Sequence, residues 1–101
     1  MDIIQRDIIG LGNAAQERRQ NIKQLRQGIK DLLREQEELK FLLSQDSEYD
    51  KEALEKNIVR IAFNISRVED TIAKEEAGIK QLSQMVEVLE RKQCLSGTIL
   101  L

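Results

Sequence analysis

The sequence is dominated by isoleucine, leucine and valine that recur at alternating intervals of three and four residues. Residues 19–43, RQNIKQLRQGIKDLLREQEELKFLL, separate these apolar residues almost entirely by charged and amide residues. With Ile22 at heptad position a, apolar residues occupy most a and d positions over about six heptads in each half of the chain. A pattern of this length predicts long helices that pack as a coiled coil.

A polar segment between the two heptad runs predicts a turn. The segment SQDSEYDKEAL begins at Ser44, and either Ser47 or Asp46 offers a side chain that could cap a following helix. Glu48 and Asp50 would suit the positive end of that helix. Because the connection is short, the two helices are expected to be antiparallel neighbours.

The predicted fold is therefore all-α: a long antiparallel helical hairpin, which is an intramolecular coiled coil. The whole chain is predicted to form one domain, since it has 101 residues. The expected limits are residues 2–44 for helix 1, 45–48 for the loop, 49–95 for helix 2 and a short C-terminal tail, within a domain covering 1–101.

The charges beside the apolar seam support the antiparallel direction. In an antiparallel pair, a positions face d positions, and placing Leu43 opposite Leu54 fixes the register of the whole hairpin. The e positions are independent of this choice of register, and the register brings opposite charges together there. The expected pairs are Lys40 with Glu55, Arg26 with Glu69 and Arg19 with Glu76.

Three polar residues interrupt the seam. Arg18 and Glu75 both occupy d positions in neighbouring layers, and Gln36 lies at an a position opposite Ile61. Arg18 and Glu75 leave two alternatives: they reach each other and fix the register, or their side chains extend separately to solvent. We favour the second, because a buried ion pair often fails to offset its desolvation. Gln36 is interpreted as a residue that fixes the register.

Glycines near both ends raise questions about the helix limits. Gly10, Gly12 and Asn13 leave two alternatives: a new helix begins at Asn13, or one helix passes through a weak region. Near the other end, Gly97 predicts the stop of helix 2.

The composition offers little for catalysis. The chain has no histidine and a single cysteine, Cys94, so His-dependent triads and thiolate zinc sites are excluded. We therefore expect no catalytic residue, cofactor or metal, and no small-molecule substrate.

The net charge of −2 and the flanking acidic residues disfavour nucleic acid as a ligand of the basic stripe Arg60, Arg67 and Lys74. No apolar run suits a membrane span, and the lone cysteine favours an intracellular, cytoplasmic or nuclear, location.

The g positions predict a partner-binding surface. The pairs expected there are small or uncharged, and two mid-helix glycines, Gly28 and Gly78, lie on this one side. Glycine inside a helix is costly unless something must approach closely. With two aromatic residues near the loop end, the predicted partner-binding residues are Ala14, Asn21, Gly28, Thr71, Gly78, Met85, Phe41 and Phe63.

The neighbouring c positions suggest what the partner is. On the first helix they include Glu17, Asp31 and Glu38, and on the second they include basic residues, so a two-fold dimer would set acid over base. The prediction is a homodimer that completes a four-helix bundle, or the same groove filled by helices of another protein.

The expected function is a non-enzymatic protein–protein interaction module, which serves as an oligomerisation domain or as a subunit of a scaffold or tether. Two alternatives stay open: a small helical chaperone or adaptor for a client segment, and a helical nucleic-acid-binding protein.

Overall fold

The computed structural model describes residues 2–45 and 50–100, with side chains described as far as residue 95. It consists of helix α1, Ile3–Ser44, and helix α2, Lys51–Leu100. Asp2, Gln45 and Asp50 are the only described residues outside the two helices, so the described ranges contain no strand. The predicted all-α class is confirmed.

Both helices begin with an aspartate cap. The backbone N–H of Gln5 donates to Asp2 Oδ1 at 2.9 Å, and the N–H groups of Glu52 and Ala53 donate to Asp50 Oδ1 at 3.0 and 3.4 Å. Each carboxylate satisfies helix N–H groups that have no partner within the helix. The alternative caps of α2 predicted from sequence, Asp46 and Ser47, lie outside the described residues.

Helix α1 passes through its glycines without interruption. Gly10, Gly12 and Asn13 all lie inside Ile3–Ser44, so the second of the two sequence alternatives is the correct one. Helix α2 likewise continues through Gly97 to Leu100, and the predicted end near residue 95 is wrong. A glycine that ends a helix usually adopts a positive φ, and none of the described glycines does so.

The chain divides into two compact units. Unit 1 contains Met1–Ile22 and Lys74–Leu101, and unit 2 contains Lys23–Ala73. In unit 1, Arg18 lies against Gly78, while the earlier residues Gly10 and Leu11 share a groove with the later residues Val88 and Leu89. The two helices therefore run antiparallel there.

Unit 2 contains the end of α1 and the start of α2. Its helices are joined across the seam, because the Gln36 side-chain amide donates to the Ile58 carbonyl at 3.4 Å. The chain is thus the helical hairpin that the heptads predict. The single domain covering 1–101 stays a prediction.

The seam lies where the heptads place it. From Ile4 to Leu43, and from Leu54 to Gln93, every a and d residue is buried or half-buried, while every e residue is exposed. The most buried side chains of the described residues are small in number and lie in both units: Ala15, Ile22, Leu54, Ile61 and Ile72. Each unit therefore has a thin core, one layer of side chains deep.

The ion pairs beside the seam differ in part from those predicted. Lys40 Nζ lies 3.6 Å from Glu37 Oε1, a partner one turn away in the same helix, and among the described residues it forms no ion pair with the predicted Glu55. A partner within the helix requires less ordering of a long, exposed side chain than one across the seam. The pairs Arg26–Glu69 and Arg19–Glu76 stay predictions.

Candidate partner-binding surface

Arg18, Glu75 and Gly78 form one connected arrangement in unit 1. The Arg18 Nη1 group donates to Glu75 Oε1 at 3.4 Å, with 41 % of the Arg18 side chain and 22 % of the Glu75 side chain exposed. A Cβ atom built on Gly78 would lie 2.6 Å from Arg18 Nη1 and 2.7 Å from Arg18 Cζ. The guanidinium group therefore lies across the bare backbone of Gly78 to reach Glu75.

This contact corrects the expectation that the two polar residues point separately to solvent. Glu75 is pulled into the seam by its d position, which leaves its Oε2 atom buried without a hydrogen-bond partner. A half-buried carboxylate of this kind is stabilised by a nearby cation, and Arg18 is long enough to supply one while staying partly hydrated. The glycine at 78 thus has a role inside the hairpin, which the sequence analysis assigned to a partner.

A groove in unit 1 is lined mainly by apolar groups. It has a volume of about 690 Å³ and lies between α1 and α2 at the side of the seam that carries positions g and c. We call it the terminal groove, and its lining residues include Gly10, Leu11, Met85, Val88 and Leu89. Met85 is 50 % exposed and Val88 is 48 % exposed.

A second concavity adjoins the terminal groove. It is lined by Arg18, Lys74 and Gly78 among others, and it shares Gln81 and Gln84 with the terminal groove. Of the predicted partner-binding residues in unit 1, Met85 and Gly78 therefore line adjoining concavities. Ala14 is half-buried and Asn21 is exposed.

On the side of the seam that carries positions g and c, unit 2 has charged residues where unit 1 has the terminal groove. Gly28 is half-buried, and a Cβ atom built on it would meet nothing within 4 Å. Thr71 is exposed, and its hydroxyl donates to the Arg67 carbonyl at 3.1 Å, so its polar atom is already used within α2. The exposed charged residues at the c positions of unit 2 form what we call the charged flank, which consists of Asp31 and Glu38 on α1 with Arg60 and Arg67 on α2.

The two phenylalanines lie at f positions, which neighbour the c positions on each helix. Phe41 lines a shallow depression with other residues of α1, including Arg34 and Leu42. Phe63 is exposed, with the Arg67 guanidinium 5.9 Å from its ring centroid. Both phenylalanines therefore border the charged flank, because Glu38 lines the same depression as Phe41 and Arg67 lies over Phe63.

Sequence reasoning missed Gly10, Val88 and Arg18 as parts of this surface. Gly10 and Val88 are c residues, and the c positions were considered only for their charge. Their apolar character near the chain ends was an available signal. Arg18 gave no such signal, because a d residue is expected to face the seam.

Comparisons with protein-family models, with curated proteins and with solved structures found no match to this chain. Within residues 2–45 and 50–100, neither helix combines the length and the apolar character needed to cross a bilayer. The same residues bring together no group of three or more side chains of the kinds that hold metal ions.

Proposed function

We propose that this chain is a non-enzymatic assembly module that binds a second copy of itself through the g and c positions of its hairpin. The product is an antiparallel four-helix bundle made of two hairpins. The module would serve as an oligomerisation domain or as one subunit of a larger scaffold or tether. An intracellular setting belongs to the same proposal, because the single cysteine suits a reducing compartment.

The exposed surface of the hairpin carries this proposal. The chain exposes 7979 Å² of surface. A compact monomer of 11.7 kDa is expected to expose only about 5900 Å². The excess is roughly 2100 Å², and a stable protein–protein interface removes about 800 Å² from each partner. A second copy would therefore cover surface that one hairpin leaves in water.

The position of exposed apolar side chains supports one face over the others. Met85 and Val88 are about half exposed and line one groove beside Gly10, which carries no side chain to block an approaching helix. Covering such side chains contributes about 25 cal/mol for each Å² removed from water. The opposite side of the seam, formed by the e positions, carries mostly charged residues and fewer apolar ones.

The test compares the molar mass in solution of the wild-type protein with that of Met85→Lys across a range of concentrations. We expect the wild type to reach twice the chain mass, and Met85→Lys to need at least tenfold more protein to do so. The matched control is Leu33→Lys, because Leu33 is 45 % exposed but lies at an e position on the other side of the seam.

Leu33→Lys is expected to associate like the wild type. A wild-type protein that stays monomeric at every concentration would overturn the proposal. Equal weakening by Met85→Lys and Leu33→Lys would show that association uses some other face.

The terminal groove itself favours one second candidate, a small chaperone or adaptor that binds an apolar client segment. A groove of about 690 Å³ with exposed Met85 could receive an apolar helix, since methionine adapts to varied partners. This function predicts a monomer whose groove stays open at high protein concentration. It would show as binding of an apolar dye that Met85→Lys reduces and Leu33→Lys does not.

A further inference from the structure

We infer that the two copies lie side by side in the same direction, with their turns at the same end. This inference rests on the homodimer proposed above and specifies its geometry. In this arrangement α1 of each copy faces α2 of the other, so that all neighbouring helices are antiparallel. Unit 1 then contacts unit 1 of the second copy, and unit 2 contacts unit 2.

The charged flank of unit 2 is complementary to itself in this direction only. The hairpin register places Asp31 level with Arg67, and Glu38 level with Arg60. When α1 faces α2 of the second copy at equal height, each acidic residue meets a basic residue across the interface. The two-fold axis repeats both pairs, which gives four contacts between opposite charges.

The terminal groove of unit 1 also favours the same-direction dimer. In the same-direction dimer, the groove with Met85 and Val88 faces the identical groove of the second copy, and apolar surface covers apolar surface. In the opposite direction, unit 2 of one copy would face unit 1 of the other. Glu38 and Arg60 would then be set against a groove lined mainly by apolar groups, where the charged lining residues are Arg6 and Asp7. The same-direction dimer instead covers the apolar groups with apolar groups and leaves the charges of unit 2 opposite one another.

Charge reversal tests the facing of α1 and α2. Asp31→Lys with Glu38→Lys makes the flank wholly basic and replaces four attractive contacts by four repulsive ones. Each of the four lost attractions and each of the four gained repulsions changes the equilibrium by about twofold. Together these changes raise the dimer dissociation constant by about 250-fold. Adding Arg60→Glu and Arg67→Glu to the same chain exchanges all four charges, and we expect dimerisation to recover.

The matched control carries the same change in net charge elsewhere. Glu87→Lys with Glu90→Lys alters two exposed residues of α2 at positions b and e. We expect these substitutions to leave the dissociation constant within about threefold of the wild type, because charges beyond a Debye length are screened at ordinary ionic strength. An equal loss of dimer in the control would mean that only net charge matters, and this would overturn the inference.

The direction itself is measured with a spin label on the exposed Cys94, the natural cysteine of unit 1. Same-direction packing predicts a distance between labels below about 35 Å, since neighbouring helix axes lie 8–10 Å apart. Opposite-direction packing would set each labelled Cys94 beside unit 2 of the other copy and predicts a distance well above this limit.

Different results would overturn the assembly module and the same-direction inference. A dimer with the long distance would overturn the same-direction inference and leave the assembly module standing. A monomeric mass under the conditions of the distance measurement would overturn the assembly module and, with it, the inference.

Discussion

The effect of Gly78→Ala on the free energy of unfolding shows whether Gly78 makes room for Arg18 inside the hairpin or is an ordinary helix glycine. Alanine inside a helix is favoured over glycine by about 0.5–1 kcal/mol. Gly12, which lies at an exposed e position with nothing within 4 Å of an added Cβ atom, should give this full gain. Gly12→Ala is therefore the reference variant, expected to raise the free energy of unfolding by about 0.5–1 kcal/mol.

At Gly78 a second effect opposes the gain. The new methyl group would lie 2.6 Å from Arg18 Nη1, so the guanidinium group must move away from Glu75. A hydrogen bond between charged groups contributes about 1.5–3 kcal/mol when well formed. This one is 3.4 Å long and Arg18 is 41 % exposed, which reduces its contribution to about 1 kcal/mol. The two effects cancel, and Gly78→Ala should lie within about 0.5 kcal/mol of the wild type.

The assay is urea denaturation followed by circular dichroism, with all variants at one protein concentration because dimer stability depends on concentration. Repeating Gly78→Ala in an Arg18→Met background completes a double-mutant cycle. With no guanidinium group to displace, the substitution should now stabilise as much as Gly12→Ala does. The reasoning is refuted if Gly78→Ala stabilises the wild type as strongly as Gly12→Ala, or if Arg18→Met leaves its effect unchanged.

Two further predictions concern the ends and the seam of the helices. Asp50→Ala should lower the free energy of unfolding by about 1 kcal/mol, because it removes the cap that accepts from Glu52 and Ala53, and the exposed Ser66→Ala should change it little. Equal stability of these two variants in urea denaturation would contradict the capping role. Gln36→Leu should raise the melting temperature, because it replaces a long hydrogen bond of 3.4 Å by apolar burial, whereas Gln20→Leu at an exposed position should not. A lower melting temperature for Gln36→Leu would show that the amide stabilises the seam more than apolar packing does.

Most of the fold could be predicted from the heptad pattern. Because a period of 3.5 residues places a and d side chains on one face, the buried residues Ile22 and Ile61 could be named from their spacing alone. The direction followed from the short polar connection, since a few residues cannot carry the chain back to the start of α1. Helix limits were harder, because Gly97 can end a helix or continue it, depending on its φ.

The side chains that bridge the seam were less predictable. Arg18 has several rotatable bonds, and the sequence does not show that its guanidinium group lies over Gly78. The same freedom explains why Lys40 pairs with Glu37 and not across the seam. The sequence predicts only part of the terminal groove, because the small g residues point to Met85 but not to Val88 at the next c position.

The central claim is that a second copy covers the terminal groove in solution, and side-chain oxidation by hydroxyl radicals measures this coverage directly. Met85 and Leu33 are both about half exposed in the single hairpin. As the protein concentration rises through the dissociation constant, the oxidation rate of Met85 should fall severalfold while that of Leu33 stays constant. A Met85 rate that does not change over the full range of concentrations would contradict the account.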